Sequence, residues 1–496
     1  MVRLSQKPAP VYRPRRPRQS PLYRIIERFF PQFEQLYSER YEKRYGFWRP
    51  VIGDVVRKFL RCADLHFGFA RVRCSGSECG HEMFVPFSCR QRCLCPSCHQ
   101  KRALLLADRI AHQICLPVPH RQYVWTIPKR LRIYFRHDRP LLGRLSSLAW
   151  ETILETYRDL AGDQAALPGM IAGIQTFGEL LHFHPHVHAL VTDGVFLPDG
   201  TFRQLRHENG TGSNQDDSCL SRFRDPENDP VHDLWRRKVF DLLLSEGKID
   251  QETVDQMTTW QHSGFSVDRS VYLPKGDVAG LERLAQYMVR CPLSLARMTR
   301  VTDEGSVIYR AEKTECRRFP QAATEDLRAG PRRNFQVFDV FDFLAELTQH
   351  IPDKGEHLVR GHRSKVGRGW YSYRRRGMRA KQGIDDEIKI DRSQARGDGT
   401  SQSESKMPHL TAWAALIRRV YETDPLTCPR CGAKMKVVSF IETHQGEVIE
   451  KILRHCRLWE GPLRTLANPR APPKRGTRQD GDEPRELQLV LDPEFL

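Results

Sequence analysis

The stretch LHFHPHVHALVTDGVF, residues 181–196, decides how this chain is read. It is strand-like, and side chains alternate along a strand, so His186 and His188 share one face while Val187 anchors the other. Two imidazoles side by side on one face suit a divalent metal. His184 has the same parity and is a candidate third donor. Pro185 lacks an amide proton, which argues for an edge or irregular strand at that point. A histidine-rich edge strand with no ligand is the plainer reading of the same residues.

Around this stretch, strands and helices mix. Residues 122–127 (QYVWTI) and 171–180 read as strands, and residues 141–160 read as a helix. Asp193-Gly194 and Pro198-Asp199-Gly200 carry hairpin-turn chemistry, so the spacing predicts an antiparallel meander bearing the histidines. Upstream, residues 21–65 place Ile25, Ile26, Phe29, Phe33, Leu36 and Tyr37 at helical spacing, and residues 100–115 suggest a further helix. The fold class expected is α+β: an antiparallel-sheet core with helices on one face. The expected division is a basic, disordered arm (1–20), a helical and cysteine-rich unit (21–117), the sheet-bearing body (118–383, with a polar insertion at 207–230), a linker (384–408), a small CxxC unit (409–460) and a mobile Pro- and Arg-rich tail (461–496).

The 496 residues carry a formal net charge of +18, which favours a polyanionic partner. No apolar run reaches the ~20 residues that a membrane span needs, and the N-terminus lacks the apolar stretch of a signal peptide. The expectation is an intracellular, cytoplasmic protein with no membrane partner. Its fourteen cysteines then need an explanation other than disulfides.

Cysteines crowd residues 74–98. Zinc takes four thiolate or imidazole donors, usually as two chelating pairs. Cys95-Pro-Ser-Cys98 is one pair and Cys74 with Cys79 a wider one, so a zinc-ribbon-like site from these four is expected. Cys89, Cys93, His81 and His99 are spare donors, and a second metal stays open. Cys428-Pro-Arg-Cys431 has the knuckle form without an obvious second pair; His444, His455 and Cys456 are its candidate partners.

The segment GDVAGLERLAQYMVRCPLSL, starting at Gly276, reads as a helix capped by Asp277, with Val278, Leu281, Leu284, Ala285, Met288 and Val289 as its buried stripe. Tyr287 lies at the stripe's edge, its hydroxyl free to point outward, with Arg283 and Arg290 near it to attract a phosphate. An ordinary amphipathic helix with a boundary tyrosine has the same spacing. Residues 360–381 are dense in Arg and Lys, hold no acid, and interleave Trp370, Tyr371 and Tyr373. Arg374, Arg375, Arg376 and Trp370 are therefore candidates for phosphate contact and base stacking, against a solvated basic loop.

Four stretches together resemble the rolling-circle transposases of bacterial insertion sequences, the His-hydrophobic-His (HUH) tyrosine nucleases of the insertion-sequence ninety-one family. They are FSCRQRCLCPSCHQKRA, GIQTFGELLHFHPHVHALVTDGVF, LERLAQYMVRCPLSLARM, and GWYSYRRRGMR with the later DPLTCPRCGAKMKVVSFI. The resemblance implies an HUH nuclease core behind an N-terminal zinc-binding domain. It implies that His186 and His188 hold Mg²⁺ or Mn²⁺; His184, Gln175 and Glu179 are each reachable from neighbouring strand positions as third ligand. It implies that Tyr287 is the nucleophile on single-stranded DNA at mobile-element ends, with target DNA as a second partner and the bacterial nucleoid as the place of action. Some relatives carry two tyrosines one helical turn apart; Arg283 and Cys291 stand there in this chain, which implies single-tyrosine chemistry. A plasmid replication initiator or relaxase of the same chemistry, and a zinc-dependent DNA-binding regulator without chemistry, are the competing readings.

Overall fold

A computed structural model describes residues 17–205, 229–260, 263–302, 304–312, 317–318, 332–360, 367–381 and 426–459. Most of the expected basic arm, nearly all of the 207–230 insertion, the 384–408 linker and the tail from 461 lie outside the described residues. No helix among those described is long and apolar enough to cross a membrane.

The chain opens with α1 (Pro21–Arg40), α2 (Glu42–Tyr45) and α3 (Pro50–Leu60). Ser20 caps α1, its side chain accepting from the Tyr23 amide, and Pro21 sits in the first turn, where a missing N–H costs nothing. A hairpin follows, β1 (Gly68–Cys74) and β2 (Glu82–Pro86), then α4 (Pro96–Arg109), which ends in a π-turn over Ile110–Ile114.

The central sheet begins with β3 (His120–Thr126). After α5 (Arg132–His137) and α6 (Pro140–Ala161) come β4 (Gly169–Phe177) and β5 (Phe183–Thr192). A side ribbon pairs β6 (Gly194–Phe196) with β7 (Phe202–Gln204); α7 (Pro230–Ser245) and α8 (Gln251–Thr258) precede β8 (Ser266–Asp268) and β9 (Tyr272–Leu273). Then come α9 (Val278–Met288), β10 (Met298–Val301), β11 (Ser306–Arg310), the short pair β12 (Arg317–Arg318) and β13 (Arg332–Arg333), β14 (Phe335–Asp339) and α10 (Val340–Gln349). Last are β15 (Val359–Arg360), β16 (Arg368–Gly369), α11 (Tyr373–Lys381), β17 (Met435–Glu442) and α12 (Gly446–His455).

The central sheet runs β15-β4-β5-β3-β8, all antiparallel, with β16 also on β4 and β9 on β3. Every residue of β4 is buried, which requires cover on both faces. One face packs Trp125, Ala172, Val187 and Ala189 against α5, α6 and α7. The other packs Ile171 and Leu190 against the α4 π-turn, α9, Trp370 and Tyr371. The expected antiparallel sheet is present; helices cover both of its faces, not one.

Two further expectations change. Asp193-Gly194 is not a hairpin turn: Asp193 is fully buried and ion-paired to Arg121 at 3.0 Å, and β6 leaves the sheet to pair with β7. The second signal does turn the chain, with the Leu197 amide donating to Thr201 O at 2.9 Å. Nor is β5 an edge strand, since β3 and β4 flank it. Pro185 is tolerated because it precedes the β3 pairing, which starts at His186, and lies where the β4 register shifts.

The N-terminal helices pack on α10 and the β10-β11-β14 sheet in one core that includes Phe33, Tyr37, Tyr309 and Phe343. Tyr41 and Tyr45 donate to Asp342 and Glu346 across that interface, at 2.8 and 2.9 Å. The segment holding the second CxxC is not a separate unit. Strand β17 pairs antiparallel with β1 from Gly68↔Glu442 to Cys74↔Met435, giving a sheet of order β17-β1-β2 built from both ends of the chain.

Candidate active site

The pleat sets the geometry first. In β5, His186 faces Gln175 of β4 and Thr126 of β3, and His188 faces Gly173 and Val124. Their rings lie 4.8 Å apart between centroids, and the His184 ring lies 5.1 Å from His186. Both share the face of Leu190, beneath α9. Gly173 lets the helix come down here: a Cβ at that position would stand 3.1 Å from Met288 O.

The end of α9 is then tied to the sheet. Gln175 Nε2 donates to Tyr287 O at 2.8 Å and Met288 O at 3.0 Å. On the other side His99 Nε2 donates to Val289 O at 2.7 Å, while its Nδ1 accepts from the Cys93 amide at 2.9 Å. These bonds satisfy carbonyls that a helix C-terminus leaves open. Asp277 caps the other end, accepting from the Gly280 amide at 2.8 Å as the sequence predicts. Held this way, Tyr287 is 44% exposed, and its ring meets His188 edge to face, with centroids 5.3 Å apart. The Arg290 guanidinium lies 4.5 Å from the Tyr287 ring centroid. Arg283 is exposed on the same helix.

Burial, aided by Arg290, holds both imidazoles neutral. The His186 pKa falls to about 4 and that of His188 to about 2. Neutral rings are the metal-binding form. His186 Nδ1 donates to His184 O at 2.7 Å, which leaves Nε2 with its lone pair. His188 Nδ1 meets the Gln122 amide at 3.1 Å, and its Nε2 is buried without a hydrogen-bond partner among the described residues. Gln175 Oε1 is likewise buried and unpartnered. A nitrogen pair with an adjacent amide oxygen fits a divalent ion. Glu179 stands past the end of β4, its carbonyl accepting from Arg297. The His184, His186 and His188 donor atoms do not close within 4.8 Å as a set; the described groups that do are two cysteine quartets and Asp108–His112–Glu282.

The cysteine quartets differ from the set expected. Cys95 and Cys98 join Cys62 and Cys89, with sulfur separations of 3.8 Å (Cys62–Cys95), 3.7 Å (Cys62–Cys98) and 3.6 Å (Cys89–Cys98). Cys74 and Cys79 join Cys428 and Cys431, at 3.4 Å (Cys74–Cys431) and 3.7 Å (Cys79–Cys428). Strand β1 explains the split: Cys62 and Cys89 flank its Gly68 end and Cys74 is its last residue, roughly 20 Å away at strand rise. Four sulfurs around zinc at about 2.3 Å stand about 3.8 Å apart, whereas a disulfide needs about 2.05 Å. Both quartets have the zinc spacing, and all their cysteines are free. Cys93, a spare donor in the sequence, is buried outside both sets.

The basic stretch also changes. Trp370 is buried and stacked on Phe196 at 4.8 Å with planes 6° apart, so it offers no face to a base. Tyr371 is buried too, its hydroxyl 2.6 Å from His120 Nε2. Arg374 is exposed on α11, and Arg375 lies over the Trp370 ring. Because β16 pairs at Gly169–Met170, this helix starts at the far end of β4 from Gln175. Nearer the histidines, a cavity of about 70 Å³ is lined by Arg92, Arg102, Arg109, Arg290, His357 and Gln175, among others. Arg290 is a candidate from the sequence, and His99 is there only a spare zinc donor; Arg92, Arg102, Arg109 and Gln122 carry no sequence signal because they come from distant segments.

Residues 169–373 match a family described as a putative transposase, and residues 32–127 match a transposase zinc-binding domain. A putative transposase of Sinorhizobium fredii is 26% identical over 300 residues, covering 57% of this chain and 67% of its own. The transposase for insertion sequence element IS801 of Pseudomonas savastanoi pv. phaseolicola is 28% identical over 366 residues, covering 71% and 79%. No solved structure matches the chain.

Proposed function

The chain belongs to the insertion-sequence ninety-one family of transposases, DNA-processing proteins with a zinc-binding domain, and from that premise we propose that it moves DNA by rolling-circle-type cleavage and rejoining of single strands through Tyr287. The observation that carries this reading is the approach of the half-exposed Tyr287 ring to His188 under the Arg290 guanidinium.

In this scheme Tyr287 Oη attacks a phosphodiester at an element end. The P–O3′ bond breaks, the 3′ oxygen leaves with a proton, and the 5′ phosphate stays on the tyrosine. The new ester keeps the energy of the old one, so a later 3′-hydroxyl reverses the step without a nucleotide cofactor. Arg290 faces the added negative charge as the phosphorus passes through its five-coordinate state. Gln175 and His99 fix the end of α9, so Tyr287 meets the scissile phosphate with little reorganisation. Mg²⁺ or Mn²⁺ held by His186 and His188, with Gln175, His184 or Glu179 completing the set, would polarise the phosphoryl oxygen. The arginine-lined cavity and Arg283 take the neighbouring phosphates of the strand.

The test is incubation with labelled single-stranded element ends, with and without Mg²⁺, scored for protein–DNA adduct. Metal-dependent adduct on Tyr287 is expected. Adduct mapped to another residue, or none on single strands, overturns the proposal.

A further inference from the structure

The zinc-binding domain match ends at residue 127, and two of the eight clustered cysteines lie some three hundred residues beyond it, at Cys428 and Cys431. We propose that Cys74, Cys79, Cys428 and Cys431 bind a second zinc ion, distinct from one at Cys62, Cys89, Cys95 and Cys98, and that this ion fastens the C-terminal strand and helix to the N-terminal sheet.

The local structure is built for such an ion. Cys74 ends β1 directly opposite Met435 of β17. The next residue, Ser75, donates both its amide and its hydroxyl to Lys434 O, at 3.0 and 2.6 Å. The two cysteine turns are thus held side by side by backbone bonds. Around Cys428 the chain makes a tight knuckle. The Cys428 amide donates to Ala433 O at 2.8 Å and the Gly432 amide to Cys428 O at 2.9 Å, with Gly432 at φ +76°. A side chain resists that φ, which is why glycine follows Cys431. The Gly76 amide points at Cys74 Sγ at 3.3 Å, a bond that favours a thiolate sulfur.

Four soft sulfurs in a closed tetrahedral set select zinc over hard cations, and the set leaves no donor position for a substrate. The core beneath it is small: Val72, Cys74, Cys428 and Met435 are its buried members. A second small cluster, Phe69 with Ile441, Ile449 and Leu453, packs α12 near the other end of β1, so at the cysteine end the metal supplies the hold that a larger core would give. Everything between Cys79 and Cys428, including the central sheet and Tyr287, is then a loop closed by the ion.

The proposal is independent of the cleavage chemistry, and its readouts are metal content and attachment. The full chain should purify with two zinc ions and Cys428→Ser/Cys431→Ser with one. A specific protease site placed after residue 400 gives the second readout. After cutting, the C-terminal piece should co-elute with the rest of the wild-type chain and separate from the double variant. Two zinc ions in the double variant, or continued co-elution of its C-terminal piece, would overturn the proposal. Should the double variant aggregate, Co²⁺ titration of the wild-type apoprotein decides. Two successive equal rises in sulfur-to-cobalt absorbance support the second site, and a single rise overturns it.

Discussion

The imidazole of His99, the residue after Cys98 of the first cysteine quartet, donates to the carbonyl of Val289, two residues past Tyr287, at 2.7 Å. A cysteine quartet and the helix carrying the candidate nucleophile are thus one hydrogen bond apart. His99→Ala leaves that carbonyl and the Cys93 amide unpaired, a cost of about 1–3 kcal/mol for each buried group. If this misplaces the end of α9, adduct formation falls roughly 10–100-fold, with zinc content and single-strand affinity held within about twofold. Unchanged adduct rates would show that the α4–α9 contact does not position Tyr287.

Tyr287→Phe is expected to abolish the adduct while changing stability by less than about 0.5 kcal/mol, because the ring is 44% exposed and only the hydroxyl is lost. Adduct formed by the Phe variant would assign the nucleophile elsewhere.

His186→Ala and His188→Ala should each remove Mg²⁺-dependent cleavage while leaving the fold intact, as judged by circular dichroism. Calorimetry should show loss of Mn²⁺ binding at the nuclease site. Full cleavage by either variant in EDTA would end the assignment of this pair.

Trp370→Ala should destabilise by about 3–5 kcal/mol, the cost of emptying a buried aromatic site, since the ring stacks on Phe196. Neutralising Arg374, Arg375 and Arg376 should instead leave unfolding nearly unchanged and shrink the salt dependence of single-strand binding, by ~0.7 in log–log slope per lost contact. Denaturation curves and affinity against salt separate the two. An unchanged slope would mean that α11 carries no DNA.

Acid should unfold the protein through buried neutral histidines. Burial lowers the His350 pKa to about 4 and that of His120 to about 3, against 6.5 unexposed to such burial. Below pH 6.5 the unfolded chain takes up protons that the folded chain refuses, so stability falls as pH drops toward 4. Each group contributes about 1.4 kcal/mol per pH unit in that window. Urea unfolding between pH 7 and 5 should show the slope, and His350→Gln should reduce it by about one proton's worth. An equal slope in the variant would place the linked protons elsewhere.

Period-two alternation made His186 and His188 legible, because a strand's parity survives whatever packs on it. The Asp277 cap and the buried stripe of α9 were legible for the same reason: they are local. Partnership across distance was not. Cys62 carries no CxxC spacing, and its sulfur meets Cys98 only because α3 delivers it to the Gly68 end of β1. Cys428 lacked a visible second pair because that pair lies at the other end of the chain. Trp370 looked like a stacking platform among arginines, but β16 pairing against Gly169 carries it into the core. Composition shows which residues are near in sequence; register decides which faces are covered.

The pairing of β17 with β1 also has a history in time. Strand β1 leaves the ribosome early, but the segment that covers its second edge, Met435–Glu442, is made some 360 residues later. At ordinary rates of synthesis this interval is on the order of half a minute. Throughout it, β1 shows an open row of backbone donors and acceptors, the kind of edge that recruits stray strands. Arg71 and Arg73 reach Glu82 of β2, on the other edge of β1, so their charges do not shield the ladder that β17 will cover. A chain cut short before residue 435 is expected to keep that edge of its first sheet open, the condition that favours aggregation.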